Sequence, residues 1–78
     1  MAVTVRLYAG IREAAGRSEL SVEGATVAEV RNSLAAALPE VADRLAYCRY
    51  ALDDTFVGEE TAVPDGASVD VIPPVSGG

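Results

Sequence analysis

The chemistry available to this sequence is concentrated in its last six residues, Pro73-Pro74-Val75-Ser76-Gly77-Gly78. Side chains that usually carry catalysis are scarce. There is no histidine, Cys48 is the one cysteine, and all six basic residues are arginines. General acid–base work at neutral pH therefore lacks its usual group, and a His/Cys metal site cannot be assembled. What remains is the carboxylate of Gly78. Two prolines hold φ near about −65° and push Ile72 toward extended backbone, so the chain should leave its last strand as a rod. Fully extended, six residues span roughly 20 Å. Gly77 and Gly78 carry no side chain to clash with a narrow channel. Gly-Gly alone also suits a flexible end or an expression scar. The six residues together read as a slender arm that presents a carboxylate to a partner's closed site.

The elements that must position this arm are legible in order. Val3, Val5 and Leu7 alternate with Thr4, Arg6 and Tyr8, as in a half-buried strand. Ala9 to Gly16 reads as a loop with one helical turn, and Glu19-Leu20-Ser21-Val22 as a second strand antiparallel to the first. Thr26-Val27-Ala28-Glu29 is a capping box. Val27, Val30, Leu34, Ala37, Leu38 and Val41 then recur at helical spacing, predicting about three turns with one face on the sheet. Pro39 ends that helix or starts a short turn up to Leu45. Tyr47 to Leu52 reads as a third strand, Thr55-Phe56-Val57 as a short fourth and Val69 to Ile72 as the last, with turns at Asp53-Asp54 and Pro64-Asp65-Gly66. One main helix on one face of a mixed sheet is an α+β roll. Residues 1–72 form the domain and 73–78 the extended tail. If the first and last strands pair, they run parallel in the middle of the sheet.

Composition sets the outer limits. Seventy-eight residues make one domain that buries only about 60% of its unfolded surface, which leaves little room for a deep catalytic pocket. No apolar run approaches the roughly 20 residues of a membrane span, and no secretion signal opens the chain, so a cytoplasmic protein is expected. Residues 1–52 carry six acids and six arginines, whereas Asp53, Asp54, Glu59, Glu60, Asp65 and Asp70 lie in the remaining third without a base. The formal charge of −6 thus falls on the third bearing the tail, which disfavours nucleic acid and favours a basic protein partner.

Three apolar residues break their own strand pattern. Tyr8 shares parity with Thr4 and Arg6, Ile72 with Asp70, and Phe56 adjoins Val57 so that alternation cannot bury both. They form an exposed patch at the base of the tail or pack against loops. Cys48, with no histidine to activate it, reads as an inert strand residue. Arg12-Glu13 reads as a loop ion pair and Asp53-Asp54 as a solvated turn.

The opening strand running into Tyr8-Ala9-Gly10-Ile11-Arg12-Glu13-Ala14-Ala15-Gly16, the Pro64-Asp65-Gly66 turn and the ending Pro73 to Gly78 together resemble the small-subunit family of molybdopterin synthase, the MoaD sulfur carriers. The resemblance spans the full length and implies the ubiquitin-like β-grasp fold. It also implies an exposed apolar patch at Tyr8, Phe56 and Ile72 that meets both partners, continued by Pro73, Pro74, Val75 and Ser76. Asp53 departs from the asparagine frequent in that family. By this resemblance an E1-like adenylyltransferase couples Gly78 to AMP using ATP, with no cofactor held stably by the chain itself. A persulfide sulfur then displaces AMP to leave a thiocarboxylate. The large, catalytic subunit, in a heterotetramer with two carriers, passes the sulfur to cyclic pyranopterin monophosphate. The residues leave other roles open: a carrier for thiamine, cysteine or tRNA thiolation, a ubiquitin-like protein modifier, or an adaptor with an unreacted tail.

Overall fold

The structure, a computed structural model, describes residues 2–74. Val75, Ser76, Gly77 and Gly78 lie outside the described residues, so the tail is followed only through Pro73 and Pro74.

Five strands form one mixed sheet: β1 (Ala2–Leu7), β2 (Glu19–Glu23), β3 (Arg49–Leu52), β4 (Thr55–Val57) and β5 (Ser68–Ile72), in the spatial order β2-β1-β5-β3-β4. β1 pairs antiparallel with β2 and parallel with β5, with Leu7 opposite Val71. β5 is therefore central, flanked by β1 and by antiparallel β3. Period-two alternation does the sorting. Val3, Val5, Leu7, Leu20, Val22, Val69 and Val71 point to one face and are buried, while their neighbours face the other way.

The buried face is covered by α2 (Val27–Ala37), which places Val27, Val30 and Leu34 against the strands. Ala37 is exposed, and the apolar series continues past the helix in Leu38 and Val41. The Thr26 hydroxyl accepts from the Glu29 N–H at 3.2 Å, as the capping box requires. The reciprocal bond goes one residue further back, from the Ala25 N–H to Glu29 Oε1 at 2.8 Å. Gly24, before this cap, lies so close to α2 that a Cβ there would sit 2.8 Å from both the backbone nitrogen and Cγ2 of Val30. Beyond Leu38 a short 3-10 turn (Pro39–Val41) leads into α3 (Ala42–Leu45).

Three expectations need correction. Residues 9–16 are not mainly loop: Ala9–Ala15 form the helix α1, closed by Gly16 in the left-handed region at φ 75°. It hides from a periodicity reading because Ile11 is its single buried residue. The third strand begins at Arg49, not Tyr47, because the chain is still turning after α3: the Tyr47 N–H donates to the Arg44 carbonyl at 3.0 Å. Finally, the acids of the last third are spread over the sheet and are not gathered at the tail. β1 and β5 run toward the tail and β3 runs away from it, so the Asp53-Asp54 turn lies at the opposite end of the sheet. Asp65 is at that end too, accepting from the Ala2 N–H at 3.0 Å. Of those acids, Asp70 alone is on the strand that leads to the tail.

Candidate functional site

The site is the end of β5, the start of the tail and the surfaces on either side of them. β5 carries Val69 and Val71 into the core and leaves Asp70 and Ile72 on the face opposite the helices. Strand register aligns the outer face. Phe56 stands opposite Ala51, Ala51 opposite Asp70, and Asp70 opposite Arg6; one row nearer the tail, Arg49 stands opposite Ile72.

The three pattern-breaking residues converge on this face. Phe56 is 55% exposed and Tyr8 38%, while Ile72 is half-buried. Phe56 and Ile72 share a shallow hollow of about 150 Å³ with Ala51, Asp54 and Asp70. The Tyr8 hydroxyl donates to Asp70 Oδ1 at 3.2 Å, which ties the tyrosine to the rim of the same hollow. Val57 turns the other way and packs against the core, which resolves the ambiguity at Phe56-Val57. Two further residues complete the patch and escaped the sequence reading. Ala51 is only 5% exposed yet lies outside the main core, flooring the outer hollow. The Arg49 guanidinium carbon sits 4.9 Å from the Phe56 ring centroid, a cation–π contact that orients the ring. The signal for Arg49 was available in the Arg49/Phe56 placement across a short hairpin, but it requires the register.

The hairpin between β3 and β4 is unusually tight for its residues. Asp53 and Asp54 both have positive φ, 53° and 63°, between the paired Leu52 and Thr55. This is the two-residue turn of type I′, which favours Asn-Gly or Asp-Gly. Both aspartates are exposed, as expected of a solvated turn.

A second hollow, of about 300 Å³, flanks the tail on the helical side. Gly10 and Ile11 of α1 form one wall, Arg44, Tyr47 and Cys48 the other, and Pro73 with Pro74 the edge. Tyr47 is 75% exposed. Cys48 is buried just before β3, its thiol donating to the Arg44 carbonyl at 3.3 Å. Burial pushes the thiol pKa up, so the nucleophilic thiolate is disfavoured. Nearby, the buried Tyr50 hydroxyl donates to the Leu45 carbonyl at 2.7 Å, and burial drives its pKa upward, with smaller opposing influences from Cys48 (raising) and Arg31 (lowering). Among the described residues, Arg12 and Glu13 form no ion pair; the one present joins Arg31 to Glu59 at 2.8 Å. Among the described residues, no group of three His, Cys, Asp or Glu side chains is placed to hold a metal and no helix is long and apolar enough to cross a membrane.

A five-stranded mixed sheet of this order, crossed by α2 and ending in a central strand, is the ubiquitin-like β-grasp. The profile of the ThiS family matches residues 5–78. The chain belongs to the ThiS family. Over 83 aligned positions it is 34% identical to the molybdopterin synthase sulfur carrier subunit of Chlamydomonas reinhardtii, with both chains covered completely. Among solved structures it is similar to small archaeal modifier protein 1 of Haloferax volcanii, with a TM-score of 0.89, 24% identity and complete coverage of both chains. It is also similar to a chain in the BexX/CysO complex of Amycolatopsis orientalis, with a TM-score of 0.82, 26% identity and coverage of 97% of this chain and 99% of that one. This member of the ThiS family thus shares its fold with proteins named as sulfur carrier and as modifier, and with a chain of a two-protein complex.

Proposed function

We propose that this chain is the sulfur carrier subunit of a molybdopterin synthase. The observation that carries the reading is the full-length likeness to a subunit of that name, joined to a sequence in which Pro73-Pro74-Val75-Ser76-Gly77-Gly78 follows directly on the central strand.

In this role the reacting group is the Gly78 carboxylate, an anion at neutral pH with a pKa of about 3.5 and a poor electrophile. A carboxylate oxygen attacks the α-phosphorus of ATP in an E1-like adenylyltransferase, and pyrophosphate leaves. The acyl-adenylate has a good leaving group. A persulfide sulfur adds to its carbonyl carbon, AMP departs, and a second thiol cleaves the S–S bond to leave a thiocarboxylate. The large subunit then takes the tail, and the sulfur passes to cyclic pyranopterin monophosphate. Gly77 gives clearance. The chain supplies no acid or base, which fits a sequence without histidine. ATP is bound by the partner, not by this chain.

Tyr8, Phe56 and Ile72 form the face that meets both partners, with Pro73 to Ser76 threading the channel. The hollow that Phe56 and Ile72 share, the Tyr8–Asp70 hydrogen bond at its rim and the buried Ala51 beneath it support that assignment. Two carriers flank a dimer of large subunits. A carrier serving another sulfur acceptor is the second reading, favoured by the likeness to a chain of the BexX/CysO complex.

The test is the intact mass of the chain isolated from its own cells. A fraction with one sulfur in place of one oxygen at Gly78 is expected, and that fraction should convert cyclic pyranopterin monophosphate when mixed with the large subunit. Sulfur at Gly78 without that conversion moves the second reading ahead. Recovery of the chain in amide linkage to other proteins replaces both with a modifier.

A further inference from the structure

The hollow on the helical side of the tail has a chemistry of its own. Its walls are largely apolar, formed by Gly10, Ile11, Tyr47 and the two prolines. Its one charged lining group is Arg44. That side chain is exposed, and it makes no ion pair or hydrogen bond among the described residues. Asp43 precedes it in α3 but does not line the hollow. Asp53 and Asp65 lie toward the other end of the sheet, and Asp54 and Asp70 line the hollow on its opposite face. Among the described residues the arginine therefore meets no carboxylate, beside an aromatic ring that is three-quarters exposed.

We propose that this hollow docks an acidic, apolar segment of the adenylyltransferase that receives the tail. An aliphatic or aromatic side chain would lie between Tyr47 and the prolines, and a neighbouring Asp or Glu would pair with the Arg44 guanidinium, whose planar fork suits a carboxylate. The prolines belong both to the hollow and to the root of the tail, so the contact is continuous with the tail's own path. It lies across the tail from the Phe56–Ile72 hollow, which Ala51, Asp54 and Asp70 share. A partner would then grip the exit of the tail from both sides: an acidic segment against Arg44, and a surface tolerant of Asp54 and Asp70 against the sheet. The inference deepens the carrier reading by stating the chemistry of the partner, and it rests on that reading for the partner's existence.

Two arms test it. In the first, the isotope-labelled full chain is titrated by NMR with a capped tetrapeptide, Glu-Leu-Phe-Glu, and with its basic counterpart, Lys-Leu-Phe-Lys. The expected result is a saturable shift of the Gly10, Ile11, Tyr47 and Cys48 amides with the acidic peptide alone. Arg44→Glu should weaken that binding at least about tenfold, the loss of one charge-assisted pair. Tyr47→Ser should weaken it without changing the preference for acid. Both positions are exposed, so both variants should fold. Equal response to the two peptides, no saturable response, or shifts centred on Phe56 and Ile72 would overturn the proposal. So would tighter peptide binding after removal of residues 75–78, which would make the chain's own tail the occupant. Concentration-dependent shifts without peptide would identify a second copy instead. In the second arm, Arg44→Glu should raise the KM for adenylation of the tail while leaving kcat nearly unchanged. An unchanged KM overturns the docking site. Failure of the unaltered chain to be adenylated counts against the carrier reading, and the peptide titration still decides the hollow.

Discussion

Replacing Phe56 with alanine separates recognition from stability, because the ring lies on the surface yet is positioned. Phe56 is 55% exposed, so under half of it contributes to burial. Full burial of such a side chain is worth about 1.5–3 kcal/mol, which leaves roughly 1 kcal/mol here. The Arg49 contact at 4.9 Å adds about 0.5–1 kcal/mol at an exposed site. The expected destabilisation is about 1.5–2 kcal/mol, which for a domain of this size lowers Tm by roughly 10 °C. Thermal and urea unfolding measure it, and a double-mutant cycle with Arg49→Ala should recover the cation–π share as coupling. In the carrier role, affinity for the large subunit should fall further, by about 30-fold or more, as for an aromatic at the centre of an interface. A destabilisation above about 4 kcal/mol would mean that the ring is a core residue. Unchanged partner affinity in the folded variant would remove Phe56 from the docking face.

Gly24→Ala should destabilise by about 1–3 kcal/mol in urea, because the new methyl would meet Val30 Cγ2 and the Val30 backbone nitrogen at 2.8 Å and only a shift of α2 relieves it; a change within about 0.5 kcal/mol would refute the close approach. Asp54→Gly should raise stability by about 0.5–1 kcal/mol, since φ of 63° at the second turn position suits glycine and the variant creates an Asp-Gly type I′ turn. Stability should fall at alkaline pH. The folded-state pKa values of Cys48 and Tyr50 are raised above their ordinary 9.0 and 10.0, so the unfolded chain loses those protons first and the stabilisation present below that range is lost above it. Tyr50→Phe should flatten the Tyr50 part of this slope in pH-dependent urea melts, at a cost of about 1 kcal/mol at neutral pH for the lost bond to the Leu45 carbonyl.

How much of this was legible in the sequence depended on whether a local rule had a competitor. Strand parity placed Tyr8 and Ile72 on the outer face, because alternation is enforced by the pleat once one face is buried, but at Phe56-Val57 it left open which of the two faces out. The capping box located the start of α2, although Glu29 reaches the Ala25 N–H and not that of Thr26. The helix over Ala9–Ala15 reads as no more than one turn in a loop because it is short, closed by Gly16 and anchored by Ile11 alone, so no period emerges. The distribution of charge was misjudged for a different reason. Proximity along the chain was taken for proximity in space, and the direction of β3 sends Asp53 and Asp54 away from the tail. Arg44, Tyr47 and the prolines are brought together only by the packing of α1 against the turn after α2, which no local pattern announces.

The central position of β5 also has a mechanical meaning. A partner that draws on the tail pulls along the axis of β5, and β5 is hydrogen-bonded on one side to β1 and on the other to β3. Force in that direction loads both ladders in shear, so their bonds resist together and do not unzip one by one. An edge strand such as β4, with three residues and a single neighbour, would peel under the same load. In the proposed carrier role the domain would therefore act as a stopper, staying folded against a partner while tension acts on the chain beyond Pro74.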